Sequence, residues 1–271
     1  MMAMTTSNSI NVKAIRSVRE AANRVRCSNN LKQLGLAVQN YAGTFNDRLP
    51  PANFLYPPTG AQGDSFFALL PYLEQNNLYA LYTQNGQGYQ GAGAVPLVLF
   101  QCPSDPTAPG GLAPSGYGGP GGQGTSDYTL NSTLFASGNT GGQWGVSSPF
   151  GVGSIPDGAS NTVSFVEQAA YNAADNYPNS WAPPLLASAY SSPYWPDLGV
   201  QPPYPLPQFN PSLQAGNSNY LNPDLCQSFH TGLMMVGLMD GSVRAVASGV
   251  SEYSWNLAVQ PADGQVFDAS W

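Results

Sequence analysis

The sequence predicts a protein that combines one long α-helix with antiparallel β-strands, and two segments carry this prediction. Residues 12–42 contain no proline, a single internal glycine and many strong helix formers. Near the other end of the chain, the pair Asp240-Gly241 separates two apolar runs, which is the strongest short-range signal for a β-hairpin. With 271 residues, the chain can form one large domain or two small ones around a substantial core.

The predicted helix has apolar residues on two nearly opposite faces. The N-terminal stripe consists of Ile15, Val18, Ala22 and Val25, and the C-terminal stripe of Leu31, Leu34, Val38 and Tyr41. The helix therefore changes partners near residues 28–30, where one serine and two asparagines compete for backbone hydrogen bonds and favour a break. The N-terminal stripe is either an ordinary core contact or a surface reserved for another chain.

Four further elements are predicted between the helix and the hairpin. Residues 65–82 form a short apolar helix that is entered or kinked at Pro71, and residues 95–101 form a strand. Residues 126–130 and 162–168 form two more strands. Residues 171–225 are a long insertion rich in proline, tyrosine and tryptophan, which we expect to be a surface loop that bears contacts.

The hairpin prediction also fixes which residues face each other. A two-residue loop at Asp240-Gly241 places Met239 opposite Ser242 and Leu238 opposite Val243. One face of the hairpin then contains only apolar side chains and is expected to lie on the core. These side chains are Met234, Val236, Leu238, Val243, Ala245 and Ala247.

His230 is the only histidine of the chain and stands just before the first strand of the hairpin. It is either a structural imidazole bonded near a strand start or a catalytic base, with Asp240 or Asp157 as its orienting carboxylate and an unidentified serine as the nucleophile. No common nucleophile or metalloprotease motif accompanies it. One histidine and three scattered cysteines do not supply the usual ligands of a zinc site, so we expect no metal there.

The segment from Ile155 to Thr162 predicts a tight loop. Asp157, Ser160, Asn161 and Thr162 have the short polar side chains that bond their own backbone in turns, and Glu167 lies on the strand that follows. The same oxygen-rich set could hold a calcium ion, which is the competing interpretation.

Charge is scarce and unevenly placed. Only 8% of residues are charged, and the net charge is −7. Residues 1–32 contain six of the eight basic residues and one acid, a balance of +5; the remainder has two basic residues and 14 acids, a balance of −12. We expect no nucleic-acid partner, because a largely acidic chain without aromatic residues among its basic ones is not typical of nucleic-acid binding. The sequence also has no apolar run of about 20 residues, so it predicts no membrane span.

Five segments, taken together and in this order, resemble one bacterial family. They are VREAANRVRCSNNLKQLGLAVQNY, FQCPSDP, SDYTLN, IPDGASNTVSFVEQ and FHTGLMMVGLMDGSVRAVASGV. The chain is thereby similar to the prepilin-type processing-associated His-x9-Asp-Gly proteins, a domain of unknown function with the character of type IV pilins and type II secretion pseudopilins. The similar segments span nearly the whole chain.

This resemblance implies an α+β, pilin-like fold in which an N-terminal spine helix packs on an antiparallel β-sheet with long irregular insertions. The division of the chain is then a polar segment at residues 1–11, the spine helix at 12–42 and one β-rich domain at 43–271. The C-terminal stripe would pack on the sheet, and the N-terminal stripe would face neighbouring subunits. Family members usually begin with a leader and an apolar, membrane-inserted helix, whereas this chain has MMAMTTSNSIN at that position.

The resemblance also suggests a disulfide between Cys27 and Cys102, because both lie in family-like segments and Cys27 points toward the body of the protein. The third cysteine, Cys226, would be a buried free thiol. His230, Asp240 and Gly241 would serve structure, with no cofactor required. We therefore expect a noncatalytic subunit of a cell-surface or secretion apparatus, located outside the cell or in the envelope, whose partners are other pilin-like subunits.

Two other functions remain open from the sequence. An exposed aromatic platform in the insertion would make the protein a carbohydrate- or protein-binding module; the residues concerned are Tyr190, Tyr194, Trp195, Tyr204 and Phe209. A hydrolase that uses His230 is the third possibility. No residue of the sequence identifies a substrate.

Overall fold

The computed structural model describes residues 3–51, 53–56, 61–84, 95–113, 122, 124–135, 147–172, 177–179, 204–222 and 225–271. Helix and strand both contribute to it, and its main sheet is antiparallel, so the fold class is α+β as predicted. None of the described helices has an apolar stretch of the length that a bilayer crossing requires.

The first helix, α1, extends from Ala3 to Thr44 and is longer than predicted at its N-terminal end. Extending an existing helix costs little per residue, so the polar N-terminal segment can continue it. The expected break at residues 28–30 is absent. The Asn30 amide donates instead to the backbone oxygen of Gln101 and to the Tyr128 hydroxyl, at 2.9 and 3.2 Å, so this side chain does not compete with the helix for its own backbone groups.

Two elements after α1 differ from the prediction. After strands β1 (Asn53–Tyr56) and β2 (Ala61–Asp64), the expected helix at 65–82 is divided into α2 (Ser65–Leu69), a 3₁₀ turn (Leu70–Leu73) and α3 (Asn76–Gln84). Proline at the second position of the 3₁₀ turn explains this division. The strand predicted at 95–101 is wrong: Val98–Phe100 form a 3₁₀ turn, which buries Leu97 and Phe100 on one side because residues three apart are aligned in such a turn.

The central sheet has four antiparallel strands in the order β10-β9-β4-β3. Two of them lie within the predicted segments 126–130 and 162–168, and the hairpin provides the other two. The remaining strands form two-stranded pairs, and two short helices complete the elements. The bounds are β3 (Tyr128–Leu130), α4 (Ser132–Phe135), β4 (Val163–Glu167), β5 (Tyr171–Asn172), β6 (Tyr177–Pro178), β7 (Gln208–Phe209), β8 (Gln227–Ser228), β9 (Leu233–Leu238), β10 (Val243–Ala247) and α5 (Glu252–Val259).

The hairpin exists, but its predicted register is wrong by one residue. Val243 faces Gly237 instead of Leu238, because the loop has three residues, Met239 to Gly241, instead of two. Gly241 has a φ of +78°, whereas Asp240 is not in the left-handed region that a two-residue type I′ loop would demand. Since side chains alternate along a strand, this shift moves Val243, Ala245 and Ala247 to the opposite face from Met234, Val236 and Leu238.

Both faces of the sheet are covered by hydrophobic clusters. The first cluster lies between the sheet and α1, and it includes Leu31, Leu34 and Val38 of the C-terminal stripe together with Phe165 and Met235. The second lies on the other face, where Trp255 of α5 packs with residues of β9 and β10. Strand β9 therefore supplies core residues to both faces, as its nearly continuous apolar sequence allows.

Candidate functional site

The candidate site is centred on His230, whose side chain is fully buried at the point where the chain enters β9. Its Nδ1 atom lies 2.7 Å from Oε1 of Glu20 in α1, and its Nε2 atom lies 3.0 Å from Oε1 of Glu167 in β4. The imidazole thus stands between two carboxylates that are 210 and 63 residues away in the sequence. It joins the helix to the sheet.

Glu20 is the first residue of α1, among those with a described side chain, that is not exposed. Its carboxylate accepts hydrogen bonds from Arg24 Nε at 3.1 Å and from the Ser104 hydroxyl at 2.9 Å, in addition to the contact with His230. Partial burial raises the pKa of Glu20, but the hydrogen bonds from His230 and Ser104 outweigh it, so its pKa lies below the ordinary value. The carboxylate is therefore charged at neutral pH.

Glu167 is the more buried partner of His230. Its second oxygen, Oε2, accepts from the Ser228 hydroxyl at 2.6 Å and from the Met235 backbone N–H at 3.0 Å. Strands β4 and β9 are neighbours in the sheet, which brings Glu167 beside Met235. With Oε2 held in this way, Oε1 is directed at the imidazole.

The two carboxylates decide the charge of His230. Burial lowers its pKa, but hydrogen bonds and charge attraction from Glu167, and then from Glu20, outweigh burial and raise its pKa above the ordinary value. The imidazolium form, which the raised pKa favours, has two N–H groups, one for each carboxylate. Glu20, His230 and Glu167 thus form a triad in which His230 and Glu167 are buried and Glu20 is partly exposed.

The predicted disulfide between Cys27 and Cys102 is confirmed, and it lies against this triad. The two Cα atoms are 5.4 Å apart, within the range of disulfides. The Sγ atom of Cys102 is 3.5 Å from His230 Nε2 and 3.9 Å from Glu167 Oε1. Cys226 is a buried free cysteine, whose pKa burial raises. The three cysteines are scattered in the sequence, but the fold brings two of them, Cys27 and Cys102, beside the single histidine.

The Asp240-Gly241 pair lies at the other end of β9 and also contacts α1. The Gly241 carbonyl accepts from Lys32 Nζ at 2.7 Å, and the Met239 carbonyl accepts from the Gln39 side chain. The Asp240 carboxylate accepts from the Ser242 N–H at 2.8 Å, which closes the turn.

Contacts with α1 flank both ends of β9. His230, three residues before the strand, contacts Glu20 of α1. Gly241, three residues after it, accepts from Lys32 and lies against Gly35, the glycine of α1 that meets the hairpin.

The loop before β4 bonds partly within itself and partly to the C-terminal segment. The Asn161 amide donates to the Asp157 carbonyl at 2.9 Å, and the Thr162 hydroxyl donates to the Gly158 carbonyl at 3.1 Å. The Asp157 carboxylate accepts from the backbone N–H groups of Asp263 and Gly264, at 2.7 and 2.8 Å. Ser160 is exposed. Asp157 thus ties its loop to the C-terminal segment through both carboxylate oxygens.

The other candidate residues are placed differently. Tyr190, Tyr194 and Trp195 lie outside the described residues, and Tyr204 is buried in the second cluster, so it cannot belong to an exposed aromatic platform. Phe209 is partly buried in β7. The carboxylates of Asp240 and Asp157, the orienting groups expected for a hydrolase, accept from backbone N–H groups. Both nitrogens of His230 instead face Glu20 and Glu167.

Glu20 is a residue of the site that the sequence alone does not identify. The available signal was its isolation, because it is the one acid among six basic residues in the first 32. In the sequence, Glu167 is recognisable only as the acid on the strand after the loop. Its proximity to His230 depends on the pairing of β4 with β9.

Comparison with known proteins gives one family. The family described as "Protein of unknown function (DUF1559)" matches residues 16–252. This range includes the triad and both cysteines of the disulfide. No curated protein and no solved structure matches the chain.

Proposed function

We propose that this chain, which belongs to the DUF1559 family of proteins of unknown function, is a noncatalytic, pilin-like structural subunit of a cell-surface or secretion apparatus. In this proposal it assembles with further copies of itself through α1. The observation that carries the proposal is the exposed N-terminal stripe of that helix.

The N-terminal stripe has no covering among the described residues. Ile15, Val18 and Val25 are 58%, 70% and 60% exposed. Val12, which is 48% exposed, extends the apolar surface by about one turn. All residues from 12 to 19 are exposed, so this part of α1 projects from the body. Because isolated apolar residues are common on surfaces but a continuous apolar stripe is not, the stripe supports an interaction surface.

Charge complementarity favours a second copy as the occupant of this surface. Exposed basic residues accompany the stripe, namely Lys13, Arg16, Arg19 and Arg26. The chain after residue 32 has a balance of −12. A projecting basic helix and an acidic body attract each other between copies, which assists association and orients it.

The connection between α1 and the body suits a structural role. The helix is held to the body at three positions along its length. These are the triad contact at Glu20, the disulfide at Cys27 and the hairpin contacts near Gly35. Load applied to the projecting half is therefore transmitted to the sheet. The disulfide also favours an oxidising compartment, in agreement with an extracellular or envelope location.

The test is self-association measured by sedimentation equilibrium of the oxidised chain. Val18→Asp, in the centre of the stripe, is expected to weaken association at least tenfold. Val98→Asp is the matched control, because Val98 is 82% exposed but belongs to the 3₁₀ turn and not to the N-terminal stripe. Higher salt is expected to weaken association of the wild-type chain, because the attraction between surfaces is screened.

A wild-type chain that stays monomeric at every concentration would contradict the proposal. So would equal association of Val18→Asp and the wild type. Association that is insensitive to salt would refute the charge contribution alone and leave the apolar stripe as the cause.

A further inference from the structure

Four side chains with metal-binding atoms meet where α1 packs on the body of the protein. Cys27, Cys102, Glu167 and His230 are all buried, and their ligand atoms lie within 4.8 Å of one another. In the oxidised protein, the two sulfur atoms are bonded to each other and cannot act as thiolate ligands. The same atoms become available when the disulfide is reduced.

We propose that reduction converts this cluster into a structural zinc site, with the thiolates of Cys27 and Cys102, Nε2 of His230 and Oε1 of Glu167 as the four ligands. Zinc accepts sulfur, imidazole nitrogen and carboxylate oxygen in tetrahedral geometry. Because all four positions are filled by protein atoms, the site is closed and structural. It replaces a covalent link between α1 and the body by a metal link at the same place.

The distances fit this geometry. With zinc–ligand bonds of about 2.0–2.3 Å, neighbouring ligand atoms in a tetrahedron lie about 3.3–3.8 Å apart. Cys102 Sγ lies 3.5 Å from His230 Nε2 and 3.9 Å from Glu167 Oε1, and the latter two atoms are 3.0 Å apart. Three ligands thus need shifts of only a few tenths of an ångström. The Sγ atom of Cys27 must move from bonding distance, which reduction permits.

Outer contacts orient three of the four ligands. Glu20 accepts from Nδ1 of His230, the arrangement that holds many zinc-bound histidines with Nε2 directed at the metal. Ser228 and Met235 occupy Oε2 of Glu167 and leave Oε1 free to turn to the metal. The backbone N–H of Cys102 donates to Asp127 at 2.6 Å, which fixes the main chain beside its sulfur.

The charges of the bound state compensate each other closely. Two thiolates and one carboxylate around a dication leave a net charge of −1, with His230 neutral. Arg24 forms an ion pair with Glu20 at 3.1 Å and so adds a positive charge beside the carboxylate that contacts His230 Nδ1. Without the metal, two thiolates buried beside Glu167 would lack a compensating cation.

The redox step needs an external reductant, for which a water-soluble phosphine serves. The phosphine attacks the S–S bond, water supplies an oxygen atom, and the products are one phosphine oxide and two thiols. Zinc then displaces the two thiol protons and the imidazole proton at Nε2.

The test uses cobalt(II) as a visible substitute for zinc, with the full-length chain kept under phosphine from lysis onward. The reduced wild-type chain is expected to bind one cobalt ion with thiolate-to-cobalt charge-transfer absorption, which added zinc abolishes. The oxidised chain is expected to show no such absorption. Zinc is expected to raise the melting temperature of the reduced chain and not that of the oxidised chain.

Variants assign the ligands. Cys102→Ser is expected to remove the two-thiolate spectrum, whereas Cys226→Ala, the matched control, is expected to leave it unchanged. Glu20→Gln, at a partly exposed position that contacts no metal, is expected to retain one ion per chain with an affinity about 10–100-fold lower. Circular dichroism verifies that each variant is folded.

Absence of charge-transfer absorption in the folded, reduced wild-type chain would overturn the proposal. So would a spectrum that survives Cys102→Ser or disappears with Cys226→Ala. The proposal does not depend on assembly through the N-terminal stripe, since the cluster is formed within one chain.

Discussion

Gly35 of α1 and Gly241 of the hairpin loop meet backbone to backbone: a methyl group placed on Gly35 would lie 2.8 Å from the Cα atom of Gly241. The glycine in the middle of the helix therefore allows the loop to approach. Gly241 itself has a φ of +78°, so the turn requires glycine there, whereas the close contact depends on the missing side chain of Gly35. The Lys32 and Gln39 side chains bond to the loop on either side of this contact.

The first prediction concerns this contact. Gly35→Ala is expected to lower the free energy of unfolding by about 1–3 kcal/mol, because the methyl group forces two backbones apart and such overpacking outweighs the gain in helix propensity. Gly43→Ala is the matched control in the same helix, since nothing lies within 4 Å of its added methyl group. It is expected to be neutral or to stabilise by up to about 1 kcal/mol. Denaturant titration of both variants measures the difference, and equal stabilities would refute the contact.

The hairpin shows what local sequence can predict and where it fails. Two apolar runs around Asp240-Gly241 identified the strands correctly, because turn chemistry is local. The register depended on whether the loop has two or three residues, and that is decided where Gly241 packs on Gly35, 206 positions away in the chain. Likewise, a 3₁₀ turn replaces the strand predicted at 95–101, with Leu97 and Phe100 buried and Val98 exposed.

The site was predictable only in part for the same reason. Family-like segments indicated the Cys27–Cys102 bond and the importance of His230. The partners of His230 come from α1 and β4, and no local pattern connects those elements to it. Only the packing of the helix on the sheet brings Glu20 and Glu167 to opposite sides of the imidazole.

The second prediction concerns His230 in the oxidised chain. His230→Gln is expected to cost about 3–5 kcal/mol in unfolding free energy, because it leaves the buried Glu167 without its charged partner. Glu20→Gln should cost less, about 1 kcal/mol, because Glu20 is partly exposed and keeps bonds to its neighbours. Urea unfolding at neutral pH measures both, and a His230→Gln chain as stable as the wild type would contradict the triad.

The third prediction concerns pH and Asp64, the N-cap of α2. Its Oδ1 accepts from the Phe67 N–H at 2.8 Å, Oδ2 is buried without a hydrogen-bond partner among the described residues, and burial raises its pKa to about 7. The unfolded pKa is about 3.9, so folding favours the protonated form. This contribution to stability is complete below about pH 4 and is lost as pH rises through about 7.

Asp64→Asn removes that dependence while it keeps a side-chain oxygen as the cap. The stability of the variant relative to the wild type is therefore expected to increase between about pH 4 and pH 8, by on the order of 3 kcal/mol. Unfolding titrations at both pH values measure the change. A relative stability that is constant with pH would mean that Asp64 is charged in the folded chain.

The fourth prediction concerns the calcium interpretation of the loop at Asp157. Both carboxylate oxygens already accept backbone N–H groups, from Asp263 and Gly264. We therefore expect the melting temperature to be unchanged by chelator and by subsequent excess calcium. Asp157→Ala is expected to lower stability by about 1–3 kcal/mol equally in both conditions, since it leaves two donors without their acceptor. A calcium-dependent rise in the wild type that Asp157→Ala abolishes would favour an ion instead.

The last prediction concerns the position at which α1 leaves the body. Cys27 is the first buried residue among the described side chains of α1, so the disulfide lies at the boundary between the projecting half of the helix and the packed half. Its loop closes 75 residues, worth about 4 kcal/mol in the chain-entropy model. A chain with Cys27→Ala and Cys102→Ala is expected to lose stability of that order.

Limited trypsin digestion locates the effect, because cleavage requires local unfolding of the helix. In the oxidised wild type, cleavage is expected at Arg16 and Arg19, on the projecting half, well before Lys32. In the double variant, cleavage at Arg26 and Lys32 should accelerate, since the boundary is no longer covalently fixed. Cys226→Ala should keep the wild-type order of cleavage. Identical digestion of the double variant and the wild type would mean that core packing alone fixes the boundary, and the disulfide would then add stability without holding the helix at this point.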